Sequence, residues 1–106
     1  MAELDAATPP TLRVDVTLDG GTPVISVAGE LDFSTADHAR EAMIRSLVPG
    51  SPLAFDLAAL TFIDSSGLAV LIEAAQQANP LQLRNTSERV RKVIAATGLT
   101  ELFGTA

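Results

Sequence analysis

The sequence predicts an α/β fold: one domain with an opening β-hairpin, then a parallel βαβαβα run, building a mixed sheet flanked by helices. Three observations carry this. Two strand-like runs are separated by Asp19-Gly20-Gly21. From residue 34 to residue 98 the apolar spacing alternates between helical and strand-like periods. The chain has 106 residues, 47% of them hydrophobic, which suits a single packed core and argues against disorder.

Each element has its own signature. Residues 1–11 are small and polar and include Pro9-Pro10, so they read as a loose tail, with the domain spanning 12–106. In "LRVDVTL", Leu12, Val14, Val16 and Leu18 alternate with Arg13, Asp15 and Thr17, the pattern of a half-buried strand at or near an edge. The glycines that follow suit a tight turn. "PVISVAG" is apolar on both faces, as in a strand covered on both sides. Ala36, Ala39, Met43 and Leu47 then fall at helical spacing, with Ser34 or Thr35 available as cap. "PGSP" breaks the chain, and "LAFDL" is a short buried strand. Leu68, Leu71, Ile72 and Ala75 mark a second helix, with Glu73, Gln76 and Gln77 on its wet side and Pro80 beyond its end. "LQLRN" is a fourth strand. "SERVRKVIAATG" is a third helix, capped by Ser87 and closed by Gly98. "LTELF" suits a short closing strand or turn.

Strand–helix alternation implies right-handed crossovers, and such sheets carry their working residues in loops at the carboxyl ends of strands. Two loops qualify: "GELDFST" after the second strand and "TFIDSSG" after the third. Both lead into helices. One helix joins the two strands, so the loops should be neighbours.

Composition narrows the function. Thirteen acids against seven bases give a formal net charge of −6, a poor match to nucleic acid or anionic lipid. Arg84, Arg89, Arg91 and Lys92 cluster, and read as a solvated helix face. There is no cysteine, hence no disulfide and no thiolate chemistry. The start lacks a secretory pattern, and no run approaches a membrane span, so a cytoplasmic domain is expected.

The stretch "LTFIDSSGLAVLIEA", residues 60–74, places Asp64-Ser65-Ser66-Gly67 between two apolar runs. Any of the three polar residues can cap the helix, but one cap suffices. A nucleophilic serine needs a base, and His38 is the only histidine; the G-x-S-x-G elbow is absent. Glu30, Asp32 and Asp64 have no metal-ligand spacing, and Gly67 lacks a glycine-rich phosphate cradle, so neither metal nor cofactor is expected. Modification remains. A hydroxyl at a helix start is accessible, and the free amides and dipole there tolerate phosphate. The neighbouring acids do not, which makes the site a switch on an interaction surface.

"DSSGL" after an apolar strand, "GELD" before the first helix and "SERVRKVIAATGLTELF" near the end resemble the STAS domain of anti-sigma factor antagonists, over residues 12–103. The resemblance implies a binding protein and not an enzyme. In that family the serine directly after the Asp is phosphorylated by an anti-sigma factor that is also a serine kinase of the histidine-kinase-like ATPase type. Here that serine is Ser65. Unphosphorylated antagonist binds the anti-sigma factor and frees the sigma factor; a PP2C-type phosphatase resets it. Asp32 and Asp64 would flank the acceptor. The expected partner-binding face takes Glu30, Asp32, Ser34 and Thr35 from the first loop and Asp64, Ser66 and Gly67 from the second. The chain departs from the family pattern at "ANPLQL" and stops soon after "ELF". The alternative is a STAS scaffold that senses a nucleotide or other small ligand in a stress-signalling complex.

Overall fold

A computed structural model describes residues 11–98 and the backbone of 104 and 105. Strand β1 (Leu12–Asp19) pairs antiparallel with β2 (Thr22–Leu31). The turn between them has two residues, Gly20 and Gly21, with φ of 60° and 88°. A two-residue turn with both φ positive matches strand twist, and glycine reaches it without strain. Then come α1 (Ala36–Ser46), β3 (Leu53–Asp56), β4 (Leu60–Ile63), α2 (Ser65–Gln77), β5 (Leu81–Arg84), α3 (Glu88–Ala96) and β6 (Gly104–Thr105). The sheet order is β1-β2-β3-β5-β6, with β4 paired to β2 as well. Every pairing after the hairpin is parallel. The expected mixed α/β sheet is therefore the observed one.

Several expectations need correction. Residues 61–63, assigned to a loop, belong with Leu60 to strand β4. The cause is the length of β2. Strand β3 occupies only Val24–Ser26 of it. The chain then steps out through residues 57–59, where Asp56 Oδ1 accepts from Ala58 N and Leu60 N donates to Leu57 O. It returns opposite Gly29–Leu31. Second, β1 is an edge strand as expected, but its apolar face is covered only at one end. Leu12 is buried and Val14 half-buried, whereas Val16 and Leu18, toward the hairpin turn, are exposed. Third, neither Ser34 nor Thr35 caps α1 with its side chain; Thr35 occupies the cap position, but its hydroxyl bonds within the preceding loop. Thr11, assigned to the tail, has its carbonyl bonded to Glu30 N. The rest of the tail, residues 1–10, and all of "LTELF" (residues 99–103) lie outside the described residues.

The core joins one sheet face to the helices. Ile25, Val27, Phe55, Leu57, Leu83, Met43 and Leu71 are almost fully buried. Each side chain of this size contributes roughly 1.5–3 kcal/mol by leaving water. Helix α1 presents Ala36, Ala39, Ala42 and Met43 to this core, and α2 presents Leu68, Val70, Leu71 and Ala74. The two helices are tied by Arg40, which reaches Asp37 at 2.6 Å and Glu73 at 3.0 Å. Glu73 keeps its solvent-facing side while making this contact, with its side chain 42% exposed. In α3, Ser87 Oγ accepts from Val90 N as expected of a cap, and Gly98 (φ 73°) follows the helix. Arg89, Arg91 and Lys92 are exposed on α3. Lys92 pairs with Glu88, and Arg84 pairs with Asp19 across the sheet. The Lys92–Glu88 pair is fully at the surface, and such pairs contribute about 0–1 kcal/mol.

Candidate functional site

The two loops meet at one edge of the sheet, and β4 is what brings them together. It runs beside the last residues of β2, so Asp64 N donates to Leu31 O at 3.2 Å. The Asp64 carboxylate then makes two kinds of contact. Its Oδ1 accepts from Ser66 N (2.8 Å) and Gly67 N (3.2 Å), which makes Asp64 the cap of α2. Its Oδ2 accepts from Phe33 N in the other loop, at 3.2 Å. One side chain satisfies orphan amides of the helix start and clamps the β2–α1 loop against it.

The β2–α1 loop is held internally as well. Asp32 Oδ1 accepts from Ser34 N (2.9 Å) and Ser34 Oγ (2.7 Å). The Ser34 hydroxyl is the main reason that the Asp32 carboxyl titrates below its usual value. Thr35 is buried; its hydroxyl donates to Glu30 O at 2.7 Å and accepts from Asp32 N at 2.9 Å. The amides of Thr35 and Ala36 both bond to Asp32 O.

Around this framework the anticipated residues divide. Ser65, the first residue of α2, is exposed, and its hydroxyl bonds to none of the described residues. Ser66 is half-buried in the same turn. Glu30 and Ser34 are exposed, and Asp32 and Asp64 are half-buried at the rim. Thr35 and Gly67 turn inward. Gly67 is buried, and a Cβ there would lie 2.6 Å from the Leu31 carbonyl oxygen. These two residues build the loops and present no side chain to a partner.

One surface residue was missed. Phe33 is 86% exposed between Asp32 and Ser34. It is in phase with Ala36 and Ala39, so periodicity places it on the buried helix face; the turn at residues 32–35 takes it out of that phase. A phenylalanine inside an otherwise polar loop was the available signal. Phe62, whose Cα pairs with that of Glu30, is 48% exposed.

The site is acidic, with Glu30, Asp32 and Asp64 in the two loops around Ser65. Among the described residues no group of three or more His, Asp and Glu side chains is arranged to hold a metal ion. Among the same residues no hydrogen bond joins His38 to a serine, and no helix is long and apolar enough to cross a membrane.

Comparison with known proteins agrees with this architecture. The STAS domain family model matches residues 13–106. The anti-sigma-B factor antagonist of Bacillus subtilis (strain 168) is 30% identical over 96 residues, covering 87% of this chain and 88% of that one. An anti-sigma factor antagonist from Mycobacterium paratuberculosis superposes with a TM-score of 0.83 at 26% identity, over 92% of this chain and 87% of that one. The anti-sigma factor antagonist SpoIIAA in its unphosphorylated form gives a TM-score of 0.65 at 27% identity, and the Bacillus cell fate determinant SpoIIAA in its phosphorylated form gives 0.59 at 26%. Those alignments cover 89% of this chain and 88% and 91% of the two SpoIIAA chains. With the match running over nearly its whole length and over both loops, the chain belongs to the STAS domain family of anti-sigma factor antagonists.

Proposed function

We propose that this chain is a phosphorylation-switched antagonist. Unmodified, it binds an anti-sigma factor that carries serine-kinase activity; phosphate on Ser65 ends that binding, and a PP2C-type phosphatase restores it. The chain acts by binding and is not an enzyme. The observation that carries this reading is the Ser65 hydroxyl, exposed at the start of α2 beside a carboxylate that is already committed to three backbone amides. Among the described residues no base is hydrogen-bonded to it, while its exposure leaves it within reach of a kinase. The names of the relatives, and the existence of SpoIIAA in both phosphorylation states, support the same role.

The alternative, a small-ligand sensor, has less behind it. The open depression lined by Thr11, Leu12, Ser34, Thr35 and His38 offers one imidazole to an anionic nucleotide. That is thin beside the multiple amide and cationic contacts that hold phosphates elsewhere.

The test is incubation with purified anti-sigma factor kinases and ATP, followed by mapping of the modified residue by mass spectrometry. Phosphate should map to Ser65, vanish in Ser65→Ala and persist largely in Ser66→Ala. Phosphate on Ser66, or its survival in Ser65→Ala, would refute the assignment.

A further inference from the structure

Among the described residues Phe33 is the most exposed large hydrophobic side chain, at 86%. A bare aromatic ring in water is unfavourable, and a polar residue at a loop tip would avoid that. The backbone carrying it is not loose. Its own amide is held by Asp64 Oδ2, and the residues on either side are held by Asp32 N–Thr35 Oγ1 and Ser34 N–Asp32 Oδ1 bonds of 2.9 Å each. The ring is therefore presented on a fixed stalk, where its burial by a partner would sacrifice little conformational freedom. Phe62, paired with Glu30 on β4, is a second large hydrophobic side chain left exposed, at 48%.

We infer that Phe33 is the anchor of the anti-sigma factor interface: its ring enters an apolar pocket on the partner whose rim carries arginine or lysine. The inference rests on the function proposed above and adds the residue and the pocket chemistry. Charge decides the rim. Asp32 precedes the ring, Asp64 receives its amide, Glu30 stands exposed one residue before the end of β2, and Asp37 stands exposed in the first turn of α1. Arg40, the nearest cation on α1, is already engaged by Asp37 and Glu73. An apolar pocket bordered by carboxylates would be repelled, and an anionic lipid surface likewise. The anchor also explains why Ser65 suits a switch. Asp64 links Phe33 to the start of α2, so a pocket seated on the ring lies beside the residue after Asp64, and a phosphate there obstructs seating.

Isothermal titration calorimetry of the full chain against purified anti-sigma factors of the serine-kinase class tests this, with Phe33→Ser, Phe33→Leu and Leu18→Ser. Leu18 is the control: it is 72% exposed, but sits by the hairpin turn at the other end of β2. Phe33→Ser should weaken binding by roughly 30-fold or more, as truncation of a central aromatic does. Phe33→Leu should lose less, Leu18→Ser should bind as wild type does, and all three should melt like wild type. If Phe33→Ser stays within about threefold of wild type, or Leu18→Ser loses as much, the anchor is refuted while the proposed function stands. If the wild-type chain binds none of these kinases, the proposed function fails and the anchor with it.

Discussion

Gly67→Ala asks whether the glycine after the two serines serves the partner or the fold. An alanine Cβ would lie 2.6 Å from the Leu31 carbonyl oxygen, 2.7 Å from Leu31 Cγ and 2.9 Å from Ile63 Cγ1. Neither neighbour has room to withdraw: Leu31 is 0% exposed and Ile63 6%. The carbonyl is also the acceptor for Asp64 N, so moving it loosens the junction of the two loops. Overpacking of a core costs about 1–3 kcal/mol, and a rigid backbone contact puts this case at the upper end. Against it, alanine gains about 0.8–1 kcal/mol over glycine in a helix interior, and less near its first turn. The clash wins, with a net loss of about 2 kcal/mol. For a domain near 100 residues, that lowers the melting temperature by roughly 8–16 °C. Differential scanning calorimetry reads it directly. If the variant melts at or above wild type, the steric argument is wrong. Unchanged melting with weakened partner binding would return Gly67 to the interface.

Asp64→Ala should lose about 1–2 kcal/mol, because it removes the α2 cap and frees the Phe33 amide; Asp64→Asn keeps the capping oxygen and should recover most of that in a urea titration. Equal stability of the Asp64→Ala variant and the wild-type protein would contradict the clamp. Asp32 titrates below its ordinary value of 3.8, chiefly through the Ser34 hydroxyl, with the Ser34 amide adding to it. Its stabilisation is fully present above that unfolded value and fades as pH falls through the lower folded value. The melting temperature of Asp32→Asn should therefore fall less steeply than that of wild type on acidification below about pH 4, and parallel curves would refute the linkage.

Legibility followed the range of the interactions. Alternation in β1, the helical spacing of Ala36, Ala39 and Met43, the Ser87 cap and Gly98 are local, and each element formed where its pattern predicted. Chain order alone indicated that the two loops would be neighbours, and the Asp64–Phe33 bond makes them so. What was not legible depends on distant partners. "LTFI" becomes strand only because β2 is long enough to pair with β3 and then β4. Alternation assigned Val16 and Leu18 to the apolar face of β1, but coverage depends on the reach of the helices across that face. Three polar residues competed to cap α2, and the choice fell on Asp64, the one that could also receive an amide from across the sheet.

That choice bears on how a phosphate at Ser65 would act. Free amides at a helix start would draw the phosphate inward, but here Ser66 N and Gly67 N are taken by Asp64 Oδ1, and Leu68 N by Asp64 O. The phosphate would have to displace a carboxylate to reach them. It therefore stays outside, adding about −1.5 to −2 charge at neutral pH to a surface that already holds Glu30, Asp32 and Asp64. A like-charge contact near 6 Å costs roughly 0.7 kcal/mol at a dielectric of 80 and roughly 3 kcal/mol at an effective 20. Weakening a complex by 100- to 1000-fold takes about 3–4 kcal/mol. Charge acting through open water falls short, so close packing over Ser65 must supply the rest. Ser65→Asp adds charge and Ser65→Leu adds bulk without it. Both should fold and melt near wild type, since exposed substitutions shift stability by about 0.5 kcal/mol or less. Both should also weaken binding to the anti-sigma factor in calorimetry, and added salt should rescue neither fully. Full rescue of Ser65→Asp by salt, with Ser65→Leu binding normally, would mean that long-range repulsion releases the partner and that nothing packs closely on Ser65.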